Sequence, residues 1–287
     1  MATALAPATS DEVELPRRAR KQAGGENFPV ALRVLPRDLR RGLVTLYDYA
    51  RYVDDLGDEF AGDRLAALDR VAVIVRSGAT GPDVPAALAG ATLLREHYGV
   101  AAEDLLNLVQ ANVVDQRVTR YQTFADLLDY CRLSANPVGR AVLAIAGADT
   151  GERIELSDRI CTGLQIIEHL QDVGEDFRAG RVYLPQTDLR RFSVTESMLS
   201  AGTASPPLRD VIRYETDRAV AYLNAGAPLV SALRGWPRLA VSAFLAGGRA
   251  AAATVRRADY DVLGRDCSPP KRAVARAYLR ATVRTPG

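Results

Sequence analysis

Two short segments of the sequence carry carboxylates at helical spacing. In residues 47–59, Asp54 and Asp58 are one helical turn apart, and Tyr47 and Arg51 fall on the same predicted face. Carboxylates one turn apart repel each other, so an isolated helix with this pattern is destabilised unless a cation neutralises them. The pattern fits a divalent-cation site, and it fits equally a solvated acidic face or acids that pair with Arg51.

The second segment, residues 165–178, repeats the pattern and is followed by groups that bind anions. One predicted helical face carries Gln165, Glu168, Asp172 and Asp176. The residues that come next are Arg178, Arg181 and Tyr183. Mg2+ binds a few carboxylates and completes its octahedron with water and substrate oxygens, while arginine makes planar contacts to phosphate. Acids beside arginines therefore predict a site for a metal–diphosphate complex, although a charged, exposed helix end has the same local pattern.

Helix signals dominate the rest of the sequence and predict an all-α fold. Pro36 precedes the first predicted helix, and Thr123 with Asp126 forms a capping-box pattern. Pro137 is expected to kink the helix that contains it, because it lacks a backbone N–H. A break followed by an extended loop is predicted over 180–189. The predicted helices are 37–59, 62–77, 83–98, 101–118, 123–147, 155–178, 207–234, 237–263 and 269–284.

Composition excludes several other functions. Acidic and basic residues are mixed along the chain at a net charge of +2, and aromatic residues make up 6%, so no nucleic-acid-binding stripe is present. The three cysteines lie far apart, which argues against a zinc site or a disulfide framework and fits a reducing cytosol. The apolar runs are too short to span a membrane, so we expect a cytoplasmic protein with at most peripheral contact at the inner face of the membrane. Residues 1–20 are predicted to be a disordered tail and residues 21–284 a single domain.

Four segments together resemble the squalene/phytoene synthase family. They are ENFPVALRVLP (26–36), YDYARYVDDLGDE (47–59), QDVGEDFRAGRVYLP (171–185) and YDVL (260–263). The resemblance covers most of the chain and implies a single-domain, all-α isoprenoid (terpenoid) synthase bundle around a deep apolar cavity. It also implies an isoprenoid diphosphate substrate, with Mg2+ held between two aspartate-rich helices at the mouth of the cavity.

The resemblance assigns roles to individual residues. Two or three Mg2+ ions are implied, and the ligands would be Asp54, Asp58, Asp172 and Asp176. The diphosphate contacts would be Arg51, Arg181 and Tyr183, and the cavity would be lined by Phe28 and Tyr47. We assign Gln165 and Glu168, on the second acidic face, to substrate binding. Glu168 stands where the family often has asparagine, and it could add a metal ligand.

Two segments, ENFPVA and YCRLSANPVGR (130–140), are most like the family members that convert presqualene diphosphate into hydroxysqualene without NADPH. Gln171 supports this branch, because many members that condense two prenyl diphosphates have arginine there. On this branch Ser134 or Asn136 could position the water that captures the cation, and a functional partnership with a presqualene diphosphate synthase is expected. Two alternatives stay open: head-to-head condensation of two prenyl diphosphates, and a non-catalytic helical assembly factor of the same fold.

Overall fold

The computed structural model describes residues 35–265 and 267. All of them belong to one compact unit that begins at Leu35. Phe28, the predicted tail at 1–20 and the predicted helix at 269–284 lie outside the described residues. The outer limits of the predicted domain therefore stay a prediction.

The described residues form an all-α structure, as the sequence predicts. No β-strand occurs among them, and an isolated parallel bridge joins Arg120 to Val182. No helix in this part of the chain combines the length and the apolar character that crossing a bilayer requires. A short 3-10 helix spans Glu196–Ser200. The α-helices are α1 (Arg37–Asp58), α2 (Arg64–Ser77), α3 (Ala86–Tyr98), α4 (Ala102–Asp115), α5 (Phe124–Ser134), α6 (Asn136–Ile145), α7 (Gly151–Gln171), α8 (Val173–Arg178), α9 (Gln186–Arg191), α10 (Pro206–Gly226), α11 (Leu229–Ala232) and α12 (Gly235–Arg257).

Local signals begin several helices where the sequence predicts them. The side chain of Thr123 accepts a hydrogen bond from the backbone N–H of Asp126 (3.2 Å), and Asp126 accepts one from the backbone N–H of Thr123 (2.8 Å). This capping box satisfies backbone donors that the first turn of α5 would otherwise leave unpaired. Pro36 and Pro85 stand immediately before α1 and α3, with the extended backbone expected of residues that precede a helix.

Two of the predicted helices are each divided in two, so their predicted lengths were wrong. The segment predicted as 123–147 is split between α5 and α6 at Ala135. Pro137 lies in the first turn of α6. Proline is tolerated there, because a backbone N–H in the first turn has no partner within the helix. The segment predicted as 207–234 is interrupted before α11, which follows Pro228. In both segments a proline ends the regular ladder of backbone hydrogen bonds instead of only bending it.

The extended loop predicted over 180–189 is shorter than expected. Helix α9 begins at Gln186, directly after Pro185, whose extended backbone (ψ 131°) suits a helix start. The part that remains extended is fixed by backbone bonds, since the N–H of Val182 donates to the carbonyl of Thr119 at 2.9 Å. This contact lays the loop after α8 beside the loop after α4.

Helix α7 packs most extensively against α10. The approach is so close that a Cβ at Gly163 would lie 2.9 Å from the carbonyl oxygen of Ala219. A Cβ at Gly226 would lie 2.6 Å from the carbonyl oxygen of Leu156. Larger side chains at these positions would push the helices apart. The two glycines therefore fix the position of α7, which carries the first half of the second acidic segment.

Helix α1 is held against α4 by a similar contact. A Cβ at Gly57 would overlap the side chain of Asn112. The hydroxyl of the buried Tyr49 donates to the carbonyl oxygen of Leu105 at 2.8 Å. The C-terminal half of α1, which carries the first acidic segment, is thus anchored to α4.

A buried pair of carboxylates joins α9 to α10. The guanidinium of Arg218 lies 2.7 Å from Asp188 and 2.9 Å from Glu215, and both carboxylates are buried. Burial raises the pKa of Glu215 to about 8, and the neighbouring Asp188 adds to the rise, while the charge of Arg218 opposes it. Glu215 therefore holds a proton near neutral pH, which allows two carboxylates to share one arginine.

Replacing Glu215 with glutamine should flatten the dependence of stability on pH. The pKa of Glu215 is about 8 in the folded protein against an ordinary value of 4.5, so the folded state keeps a proton that the unfolded chain releases. The stability that this proton confers is fully present below about pH 4.5 and is lost as the pH rises to about 8. Glutamine mimics the protonated form, so Glu215→Gln should lose less Tm than the wild type over this range, as measured by calorimetry.

The matched control for this experiment is Glu155→Gln, which changes an exposed carboxylate. Its Tm should follow the wild-type curve, because substitutions of exposed side chains usually change stability little. Parallel curves for the wild type and Glu215→Gln would contradict the raised pKa of Glu215.

Candidate active site

A cavity of about 310 Å³ brings the two acidic segments together. It is bounded by α1, α4, α5, α7 and α8 and by the loop after α8. The predicted site residues that line it are Asp54, Asp58, Ser134, Gln165, Glu168, Asp172, Asp176, Arg181 and Tyr183. The other lining residues are Leu108, Ala111, Asn112, Asp115, Tyr130 and His169. Both predicted acidic faces therefore share one small volume.

Asp54 is the carboxylate of the α1 pair that bonds to α4. It reaches the solvent of the cavity, while its Oδ1 accepts a hydrogen bond from Nδ2 of Asn112 at 3.0 Å. Surrounding protein raises the pKa of Asp54 to about 6, and the negative charges of Asp58 and Asp55 add to the rise. The hydrogen bond from Asn112 opposes it. A cation beside Asp54 would relieve the cost of ionising it here.

The second acidic segment crosses a break between two helices, so the predicted helix over 155–178 was too long. Asp172 (φ −100°, ψ 9°) separates α7 from α8. Backbone hydrogen bonds still run from the N–H of Asp172 to the carbonyl of Glu168 (3.0 Å) and from the N–H of Asp176 to the carbonyl of Asp172 (2.8 Å). The carboxylates therefore keep a one-turn spacing, and all three line the cavity.

Asp176 shows how crowded the negative charges are. Burial raises the pKa of Asp176 to about 7, and the nearby Asp172 adds to the rise, while Arg181 opposes it. Burial also raises the pKa of Asp172, with a further contribution from Glu175. Arg181 is the one permanent cation among the described residues that line the cavity. The site is therefore short of positive charge.

Arg181 links the two acidic faces directly. Its Nη2 lies 2.8 Å from Oδ1 of Asp58, so a guanidinium from the second segment contacts a carboxylate of the first. Arg51 is placed differently, because its Nε lies 2.9 Å from Oδ1 of Asp55 on the same helix. Neither Arg51 nor Tyr47 is among the described residues that line the cavity. Their contacts with substrate stay predictions.

Three lining residues, Asn112, Asp115 and His169, were not singled out from the sequence. Asp115 accepts hydrogen bonds from the hydroxyls of Tyr130 (2.6 Å) and Tyr183 (3.0 Å). The imidazole of His169 stacks on Tyr183 with ring centroids 3.8 Å apart. Burial lowers the pKa of His169 to about 3, so this ring is neutral. The available signal was the three-residue spacing of Asn112 and Asp115, which puts both on one face of α4.

The two candidate water-binding residues have different surroundings. Oγ of Ser134 is buried at the cavity and has no hydrogen-bond partner among the described residues. Asn136 is buried and does not line the cavity; its Oδ1 accepts a hydrogen bond from the hydroxyl of Thr162 at 3.0 Å. Ser134 can therefore offer its hydroxyl to a water or ligand, whereas Asn136 ties α6 to α7.

Gln171 lies in a second depression beside the cavity. Its Nε2 donates to the backbone carbonyl of Cys267 at 2.5 Å. The depression, about 410 Å³, also touches Arg178, Arg265 and Asp172, and Asp172 is shared with the cavity. The amide of Gln171 thus holds the chain beyond α12 against the end of α7.

The site offers pairs of carboxylates to a metal ion, not a closed cage. Within the described residues, no group of three His, Cys, Asp or Glu side chains is arranged to hold an ion by itself. Mg2+ usually binds one or two carboxylates and completes its octahedron with water and substrate phosphate. Two carboxylate pairs meet that requirement: Asp54 with Asp58, and Asp172 with Asp176. The local shortage of positive charge favours the binding of a cation between them. The residues therefore fit Mg2+ that is bound jointly with a diphosphate.

Comparison with known proteins gives a consistent result. A sequence profile described as squalene/phytoene synthase matches residues 21–278. The chain is similar to the hydroxysqualene synthase of Zymomonas mobilis, with 36% identity over 65% of this chain and 64% of that protein, so it spans just under two thirds of that relative. It is also similar to the hydroxysqualene synthase of Rhodopseudomonas palustris, with 33% identity over 76% of this chain and 74% of that protein.

The fold is also found among solved structures. The crystal structure of squalene synthase HpnC from Alicyclobacillus acidocaldarius is similar, with a TM-score of 0.76 and 41% identity. The match covers 85% of this chain and 92% of that one. The all-α isoprenoid synthase fold that the sequence predicts is therefore confirmed.

Loss of one carboxylate from either face should weaken joint binding of metal and diphosphate. Mg2+ with inorganic pyrophosphate should raise the Tm of the wild type, because ligands that bind the folded state stabilise it. Asp54→Ala and Asp172→Ala should each lose most of this rise, since each leaves a single carboxylate where a pair stood. The measurement is the Tm difference with and without both ligands, by differential scanning fluorimetry.

The control is Asp149→Ala, which removes an exposed carboxylate from the loop between α6 and α7. It should keep the full rise in Tm. If Asp54→Ala and Asp172→Ala also kept the full rise, the carboxylate pairs would not be the metal site.

Proposed function

The chain belongs to the squalene/phytoene synthase family, and we propose that it ionises presqualene diphosphate with the help of Mg2+ and adds water to give hydroxysqualene. One observation carries the proposal: two acidic faces and Arg181 converge on one cavity. The chemistry that such a cavity supports is departure of a diphosphate. Similarity to two hydroxysqualene synthases favours this substrate and product within the family.

Ionisation requires that the leaving diphosphate be neutralised as it departs. When bound, Mg2+ would supply most of that neutralisation. Arg181 would add a guanidinium that its contact with Asp58 already holds at the cavity. The bond between carbon and the diphosphate oxygen breaks, and the electron pair leaves with the diphosphate. A carbocation remains in the cavity.

The carbocation must be shielded from bulk water while its carbon skeleton rearranges. Leu108, Ala111 and the ring of Tyr130 supply apolar surface, and an aromatic face attracts a cation. A single water then forms the new C–O bond with an oxygen lone pair, and its proton passes to the released diphosphate. The hydroxyl of Ser134, which has no hydrogen-bond partner within residues 35–265 and 267, is suited to hold that water. Because no hydride is added, NADPH is not required.

Head-to-head condensation of two prenyl diphosphates is the second candidate function. The observation in its favour is the neighbouring depression, which presents Arg178 and Arg265 and shares Asp172 with the cavity. Condensation needs room for a second diphosphate, and those arginines could supply it. A non-catalytic assembly factor fits less well, because it would have no use for two intact carboxylate pairs around one cavity.

The substrate also bears on partners and location. Presqualene diphosphate must be made by another enzyme if this one does not condense two prenyl diphosphates, so we expect a functional partnership with a presqualene diphosphate synthase. Substrate and product are largely apolar, and we expect reversible, peripheral contact with the cytoplasmic face of a membrane. We expect the protein to bind lipid vesicles and to dissociate from them at high salt or on dilution.

Purified enzyme with Mg2+ should convert presqualene diphosphate into hydroxysqualene in the absence of NADPH. The hydroxyl oxygen comes from solvent, so a reaction in oxygen-18 water should place one labelled oxygen in the product, as read by mass spectrometry. Farnesyl diphosphate should be a poor substrate. A chelator should stop the reaction, and Asp149→Ala should behave like the wild type.

The opposite product pattern would assign the chain to the other branch. Accumulation of presqualene diphosphate from farnesyl diphosphate would show that condensation is the activity. Full turnover of presqualene diphosphate in excess chelator would show that the acidic faces serve another purpose.

A further inference from the structure

A hydrogen-bonded hub lies at the cavity wall, beside the carboxylate pairs that are suited to hold metal. The carboxylate of Asp115 accepts from the hydroxyl of Tyr130 at 2.6 Å and from the hydroxyl of Tyr183 at 3.0 Å. The three residues come from α4, from α5 and from the loop after α8, and all of them line the cavity. A single carboxylate thus fixes two phenols that arrive from separate elements.

The same two rings belong to a compact aromatic group. Tyr130 and Tyr183 have centroids 5.5 Å apart, and Tyr183 stacks on the neutral ring of His169 at 3.8 Å. Tyr121 packs against both phenols, at 5.4 Å from Tyr130 and 5.6 Å from Tyr183. Tyr121 is not among the described residues that line the cavity. Its hydroxyl is buried and has no hydrogen-bond partner in the part of the chain that the structure describes.

The orientation of a phenol matters beside a carbocation. Ring faces attract a cation, and donation of the O–H to a carboxylate makes the ring richer in electrons. A hydroxyl oxygen that turns freely into the cavity would instead compete with water, either by bonding to the cation or by accepting a proton from it. The first event gives an adduct, and the second gives an alkene in place of an alcohol.

We propose that Asp115 is a positioning residue that controls which product forms. It holds the hydroxyls of Tyr130 and Tyr183 so that water, not a phenol oxygen, completes the reaction. This inference rests on the proposed function, because it concerns the fate of the cation that ionisation produces. It assigns Asp115 no contact with metal or diphosphate.

The test separates ionisation from product choice. Asp115→Asn, Tyr130→Phe and Tyr183→Phe are compared with the wild type on presqualene diphosphate, with diphosphate release and product distribution measured in the same reactions. In Asp115→Asn, diphosphate release should stay within about tenfold of the wild type, while the share of hydroxysqualene falls and alkenes or covalent adducts rise. Tyr130→Phe and Tyr183→Phe remove the phenol oxygen that would compete with water, so their share of hydroxysqualene should stay near that of the wild type. Tyr121→Phe is the matched control, since it removes a buried tyrosine hydroxyl that has no hydrogen-bond partner among the described residues, and its product distribution should match the wild type.

A combined variant tests whether the three residues act as one unit. In the Tyr130→Phe/Tyr183→Phe background, Asp115→Asn should cause no further change in product distribution, because no phenol is left to position. An additional change of similar size would overturn the proposal. This comparison also covers the case in which Asp115→Asn alone does not fold, since both phenylalanine variants keep the ring volume.

Three further outcomes would overturn the proposal. One is an unchanged product distribution in Asp115→Asn. Another is a shift in Tyr121→Phe as large as that in Asp115→Asn, which would make ring packing the cause. The third concerns Asp115→Asn alone. If its product distribution were unchanged while half-maximal diphosphate release needed a much higher Mg2+ concentration, Asp115 would be a metal ligand.

Failure of the proposed function gives a different result. In that case the wild type would form no hydroxysqualene, whatever the hub variants do. The hub would then be judged on whether its variants change the ratio of the products that the wild type does form.

Discussion

The carboxylates of two helical segments crowd one small cavity, and their mutual repulsion is the constraint on which the rest of the structure depends. Burial is the main cause of the raised pKa values of Asp54 and Asp176, and the neighbouring carboxylates add to the rise, so ionising these groups is costly without added positive charge. Arg181 relieves part of this cost through its contact with Asp58. A fold that holds such carboxylates close together favours the binding of cations, including those of a metal–diphosphate complex.

The packing of the bundle resists that repulsion at two places. Helix α7 cannot move away from the cavity without giving up its close contact with α10, where Gly163 and Gly226 leave no room for a side chain. Helix α1 is fixed in the same way at Gly57, against Asn112. Because these contacts are made between parts of the protein and need no ligand, the carboxylates are placed before any ligand arrives. Preplaced charges of this kind need little reorganisation when a leaving group departs.

The acidic faces could be predicted from sequence because their signal is local. A helix repeats every three to four residues, so the spacing of Asp54 with Asp58 places both on one face whatever the rest of the fold does. The only local signal for Asp115 is its three-residue spacing from Asn112, and its hydrogen bonds depend on tyrosines from α5 and from the loop after α8. The break at Asp172 was missed because no proline or glycine occupies that position. The resemblance to a family predicted the substrate class and the reaction. The hydrogen bonds around Asp115 could be recognised only in the three-dimensional structure.

A titration with Mn2+ in place of Mg2+, followed by electron paramagnetic resonance, tests the central claim most directly. The claim is that paired carboxylates bind metal jointly with a diphosphate, because the described residues contain no three-residue cluster that would bind it alone. The account predicts weak binding to the protein by itself and binding of two or three ions, at least about tenfold tighter, once inorganic pyrophosphate is added. Equally tight binding with and without pyrophosphate, or no binding in its presence, would contradict it.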